Sequence, residues 1–212
     1  AGADTATPTV TPAVPNTPTA TPSPPGACPA SVDGGCTTGF ERGLLLVRED
    51  VPGREKLAAK LVRGPALAQT DLGNPLGAEQ GGTGTAYSLC LYDDGGALAG
   101  GLRVERAGDT CGTGPCWRPI GRAPNDPSGP GRGYRYRDAA LAADGVRKLR
   151  YSGGARSRMV LVGKGPGLPD GVPAALQASS QVTVQLRSSD GLCLSLLLGD
   201  VKVQQPSFFK AR

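Results

Sequence analysis

The chain has 212 residues, with 23 Lys and Arg against 18 Asp and Glu, a net charge of +5 and no histidine. The lack of histidine removes the commonest metal ligand and the usual general base, so neither a cofactor nor a catalytic activity is expected. With 33 Gly, 20 Pro, six Cys and only 4% aromatic residues, the composition disfavours a helical bundle and points to a turn-rich sheet protein with a Leu, Val and Ala core in an oxidising compartment.

Residues 1–26, AGADTATPTVTPAVPNTPTATPSPPG, hold seven Thr and seven Pro, with Asp4 as the one charge. Proline deletes amide donors and fixes φ, so this stretch predicts an extended, polyproline-like arm. Thr and Ser interspersed with Pro are also the pattern of O-glycosylated stalks. The candidates are Thr5, Thr7, Thr9, Thr11, Thr17, Thr19, Thr21 and Ser23. The opening Ala-Gly-Ala is read as a processed secretory N-terminus. Cys28 and Cys36 flank Asp33-Gly34-Gly35, and the expectation is a small local disulfide loop. A zinc site there lacks a second Cys pair and any His. Residues 1–40 are thus predicted as the arm with its loop, and residues 41–212 as a disulfide-stapled domain.

Residues 43–105 predict four strands. The run Leu44 to Val47 precedes the turn Asp50-Val51-Pro52-Gly53 and a returning strand; a Gly/Pro-rich loop then leads to Tyr87, Leu89 and Leu91 alternating with Ser88 and Cys90. GGTGT at 81–85 lacks the Lys-Ser/Thr and helix of a phosphate cradle and reads as loop. Asp93-Asp94-Gly95-Gly96 lacks the alternating ligands of a calcium loop and reads as a hairpin turn.

Residues 106–143 join two halves. Cys111 and Cys116 flank Gly-Thr-Gly-Pro, predicting a short disulfide-closed turn with Trp117 beside it. Four intervening residues separate this from a redox CxxC motif. In GYRYRD, Tyr134 and Tyr136 share one face of a strand, and Arg135 and Arg137 share the other. Residues 118–164 carry eleven Lys and Arg against three acids, a field that attracts polyanions. Arg118, Arg122, Tyr134, Arg135, Tyr136 and Arg137 are the candidate contacts for a polyanion or partner, set against the alternative that alternate positions merely keep Arg in water.

Residues 144–198 repeat the plan of 43–105. Arg63-Gly64-Pro65 and Lys164-Gly165-Pro166 both leave a second strand, and a polar turn joins the third and fourth strands in each. Leu192, Leu194, Leu196 and Leu198 line one face, with Cys193 and Ser195 opposite. Cys90 and Cys193 therefore occupy similar strand positions, and a bond between them is expected unless one or both join the Cys111/Cys116 pair. The last strand ends in Phe208 and Phe209, an edge or tip suited to assembly contact. The predicted fold is all-β: a β-sandwich of about eight or more strands, built from two four-strand units with an internal pseudo-repeat and Greek-key or jelly-roll-like connections, after an extended Thr/Pro arm.

The order CGTGPCW, GYRYRDAALAADGVRKL, RMVLVGKGPGLP, VTVQLRSSDGLCLSL and SFFKAR resembles uncharacterised modules of large extracellular proteins from myxobacterial and related proteobacterial environmental bacteria. The resemblance covers residues 41–212 and implies a secreted or cell-surface β-rich module; it supplies no catalytic residue. The resulting expectation is an extracellular structural protein, the subunit of a self-associating filament or surface assembly with a glycosylated arm on its neighbours. The alternative is a surface adhesin or a module that binds glycans or acidic polysaccharide. A nucleic-acid partner is not expected of a chain that reads as secreted, nor is membrane insertion, since no run reaches the roughly 18 apolar residues of a spanning helix.

Overall fold

The computed structural model describes residues 26–77, 84–121 and 131–212, with Gly2 ahead of them. The glycosylation candidates Thr5 to Ser23 and the contact candidate Arg122 lie outside the described residues. The strands are β1 (Thr37–Thr38), β2 (Arg42–Arg48), β3 (Lys56–Gly64), β4 (Tyr87–Tyr92), β5 (Leu98–Val104), β6 (Thr110–Cys111), β7 (Gly114–Pro115), β8 (Trp117–Ile120), β9 (Gly133–Arg137), β10 (Val146–Ser152), β11 (Ser157–Lys164), β12 (Val182–Ser188), β13 (Cys193–Leu198), β14 (Val201–Gln205) and β15 (Phe208–Ala211). One short helix, α1 (Val172–Ala175), precedes β12. It starts where the Glu49 carboxylate accepts the Gly171 and Val172 amides at 3.0 and 3.2 Å, satisfying donors that a helix start leaves free.

Two sheets form the predicted sandwich: eight strands in the order β14-β15-β2-β3-β11-β10-β9-β8, and five in the order β1-β13-β12-β4-β5. The internal repeat explains this order. Each four-strand unit places its first hairpin in the large sheet and its second in the small one. The units then meet at β3–β11 in one sheet and at β4–β12 in the other, both antiparallel. A unit alone is two hairpins with nothing beside them; together they build sheets wide enough to bury one core.

Alternation decides what enters that core. From the small sheet come Tyr87, Leu89 and Leu91 of β4, Val184 and Leu186 of β12, and Leu194 and Leu198 of β13. From the large sheet come Leu45, Leu61, Leu149, Leu161 and the aromatic strip Trp117, Tyr136 and Tyr151. Tyr87 packs on Trp117 with ring centroids 5.3 Å apart and meets Tyr151 edge-on at 6.4 Å, so the few aromatics concentrate where the sheets face each other.

The disulfides correct the expected pairing. Cys28 bonds Cys90, Cys36 bonds Cys193, and only Cys111–Cys116 joins as predicted. There is no Cys28–Cys36 loop and no Cys90–Cys193 bond. Cys90 and Cys193 do occupy alike positions, both on the outer face of the small sheet, but a strap from the N-terminal segment lies over that face and takes each of them. Residues 26–38 follow β4, pair with the start of β5 (Leu98 N–H to Ala30 O, 3.0 Å; Val32 N–H to Gly96 O, 2.8 Å), then cross β12 to join β13 as the parallel β1. The strap buries polar groups that would otherwise face water. Gln185 is fully buried, and its side-chain amide both donates to the Asp33 carbonyl (2.8 Å) and accepts the Asp33 N–H (3.4 Å). Arg187 donates to the Asp33 carboxylate at 2.8 Å, which holds that carboxyl below its ordinary range.

Candidate anion-binding face

The strap covers the outer face of the small sheet, whereas the outer face of the large sheet carries the charge. Every strand of the eight-stranded sheet contains at least one Lys or Arg, and none contains Asp or Glu; the five-stranded sheet contributes only Arg103 and Arg187. Register aligns these cations in rows. Arg118, Arg135 and Arg150 stand directly opposite one another on β8, β9 and β10, and the row continues through Val160 to Lys60 on β3. A second row starts at Arg137 and Lys148 and ends, past Val162, Ala58 and Leu46, at Lys210. Neighbours in a row are about 4.8 Å apart, the strand spacing. The apolar members between them, Leu46, Val160 and Val162, are half-buried.

Two local features gather the charge at the β8–β9 edge. A bulge in β10 between Val146 and Lys148 interrupts strict alternation. Arg147 and Lys148 accordingly both line one cavity of about 390 Å³ with Arg137 and Asp138. A second cavity, about 210 Å³, is lined by Arg118, Arg135, Arg137, Pro115 and the Cys111–Cys116 bridge. Its wall is the β6–β7 hairpin, closed by that disulfide. Gly114 in the hairpin lets the Arg118 guanidinium lie against the backbone: a Cβ there would stand 2.5 Å from Nη2.

Two described carboxylates near this edge, Asp109 and Asp138, are already engaged. Arg106 pairs with Asp109 at 2.7 Å and with Asp138 at 3.1 Å. Asp138 is buried and also accepts the Ala140 and Ala142 amides (2.8 and 2.9 Å) and the Tyr136 hydroxyl (3.2 Å). Burial pushes its carboxyl up, but these donors outweigh burial and hold it below the ordinary value. Among the described residues, Arg118, Arg135 and Arg137 have no acidic partner.

Of the sequence candidates, the structure therefore unites Arg118, Arg135 and Arg137 and separates the tyrosines from them. Tyr134 and Tyr136 are buried, as is Trp117, so none of the three is an exposed stacking platform. The reason is the period of two: with Arg facing water, the bulky rings on alternate positions fill the core. Phe209 is likewise fully buried, which removes it as an assembly contact, and half-buried Phe208 lies under Arg48, whose Cζ is 5.8 Å from the ring centroid. Arg147, Lys148 and Arg150 join the face although only their contribution to a basic segment was visible in the sequence; their strand pairing was not.

The other candidate sites resolve into structure. Asp93 and Asp94 serve the β4–β5 turn, Asp93 accepting the Ala97 amide at 2.7 Å and Asp94 the Ser180 amide at 3.0 Å. Asp33, Cys36 and Cys193 converge closely, but the two sulfurs are bonded to each other and offer no thiolate. No helix among the described residues is long and apolar enough to cross a membrane. The three disulfides fit an oxidising environment. Comparison of the chain with family models, with curated proteins and with solved structures gives no match.

Proposed function

We propose that the chain is a secreted, non-catalytic module that holds acidic polysaccharide on the outer face of its eight-stranded sheet. One observation carries this reading: that sheet presents rows of Lys and Arg with no acid in any of its strands. Such a field concentrates anions. The half-buried aliphatic residues between the rows suit the C–H faces of sugar rings. The resemblance to extracellular modules points to the same setting. The test is binding of the full chain to immobilised polygalacturonate across a salt series. Binding that weakens steeply with salt, and further in the Lys60→Gln, Arg150→Gln double variant, supports the reading, because exposed charges are screened. Binding that is absent at low salt, or indifferent to both, overturns it.

A second reading, a filament or surface-assembly subunit with an O-glycosylated arm, is favoured by β14. Among the described strands this outermost one pairs with β15 alone, and its sequence VKVQQ carries one charge, so no described strand occupies its far side and a strand from another copy could add there. Electron microscopy of the secreted protein beside a version lacking residues 1–25 tests it. The cut belongs before Gly26, because residues 26–38 hold two of the disulfides. Filaments in either sample support assembly; monomers in both overturn it.

A further inference from the structure

Resting on the polysaccharide reading, we infer that the cavity bounded by Arg118, Arg135 and Arg137 is a recognition pocket for a tetrahedral oxyanion half-ester carried on a sugar, a sulfate ester or phosphate monoester, and not merely part of a diffuse basic surface. Three features set it apart from the rest of the face. It is concave, about 210 Å³, and tighter than the neighbouring cavity of about 390 Å³ lined by Arg137, Arg147 and Lys148, and neither cavity is lined by Lys60 or Lys210. Its cations are three guanidiniums from β8 and β9, two of them directly opposite each other. Its wall is rigid, because the Cys111–Cys116 bond closes the hairpin against which Arg118 lies.

The number of forks selects the ligand. A carboxylate presents two oxygens in one plane, which a single guanidinium can span as a bidentate pair. A sulfate ester or phosphate monoester offers three terminal oxygens in a pyramid, enough to accept from all three side chains. Arg106 completes the arrangement from outside the pocket by occupying Asp109 and Asp138, so neither acid competes for the three cations. Three like charges held together with no acidic partner among the described residues are unfavourable in the free protein, and a bound oxyanion removes that repulsion.

The experiment compares binding of the full chain to dextran sulfate and to polygalacturonate at equal ionic strength, for the natural sequence, Arg135→Gln and Lys60→Gln. The natural sequence is expected to favour the sulfated polymer by about tenfold or more, the worth of one additional charge-assisted contact. Arg135→Gln should abolish that preference, while Lys60→Gln, on the same face but outside the pocket, should weaken both polymers alike. Equal binding of the two polymers by the natural sequence, or the same loss of preference in both variants, overturns the pocket and leaves the polysaccharide reading standing. Failure to bind either polymer overturns both. Glucose 6-sulfate and glucose 6-phosphate are then used to displace the sulfated polymer. Displacement by either supports the site, and the stronger competitor names the ester; displacement by neither overturns it. Thermal unfolding of each variant confirms that the fold is retained.

Discussion

Asp138 shows how one side chain can hold a corner of this sandwich together. It brings a charge into the protein interior, which is tolerable only because two amides, a phenol and a guanidinium all donate to it. Replacing it with Asn leaves some of these donors facing an NH2 group. Asp138→Asn is expected to cost about 3 kcal/mol in urea unfolding at neutral pH, the scale for breaking a buried charged network. The sign with pH follows from its lowered folded pKa. The stabilisation is complete above the unfolded value, about 3.9, and is lost as pH falls through the folded one. The natural chain should therefore lose stability in acid more steeply than the variant, measured by unfolding at a series of pH values from 6 down to 2. Arg135 behaves in the opposite sense. Flanked on neighbouring strands by Arg118 and Arg150, it is expected to destabilise the ligand-free fold through like-charge repulsion. Arg135→Gln is expected to raise stability by about 0.5 kcal/mol, seen as a rise in Tm of ~1–2 °C without polyanion, whereas a merely structural arginine would lower it on removal.

The strap is the element on which the small sheet depends. Its two bonds span 62 and 157 residues of sequence, while Cys111–Cys116 spans five. In the chain-entropy account, each long loop is worth about 4–5 kcal/mol and the short one about 2. The Cys36→Ser, Cys193→Ser pair should therefore lower stability by roughly twice as much as Cys111→Ser, Cys116→Ser in guanidinium unfolding; equal losses would show that the strap is held by its hydrogen bonds instead. Gly101 tests the same contact from below. It sits opposite Cys90 on β5, and a Cβ there would meet Cys28 Sγ at 2.7 Å. A bonded sulfur cannot swing aside, so Gly101→Ala should cost about 1–3 kcal/mol by overpacking, measured by chemical denaturation.

At the scale of the whole molecule, the repeat makes each half dependent on the other, because the joins β3–β11 and β4–β12 run through the middle of both sheets. A fragment ending at residue 121 keeps β2 to β5 yet lacks both central partners, and its expected circular dichroism melt shows no cooperative transition. Much of this was legible in the residues themselves. Alternation identified the inner faces of β4 and β13, the Gly-Pro exits and polar turns revealed two similar units, and Cys111–Cys116 announced itself because only four residues separate its partners. These features are local, and backbone sterics and the period of two decide them wherever the chain folds. What remained hidden depended on distance. Cys28 and Cys36 are near in sequence, but the strap bonds them to β4 and β13, because covering the small sheet buries Gln185 and orders the segment. The arginines of β8, β9 and β10 form a row only through cross-strand register. Tyr134, Tyr136, Trp117 and Phe209 withdraw from the surface because the facing sheet needs their bulk. The amino-acid sequence by itself determined a cysteine-paired, all-β chain with paired repeats and a basic segment. Only tertiary packing decided which sheet face the strap covers and that the outer face of the other sheet carries the cations, because face, register and pairing are relations between strands that no single strand contains.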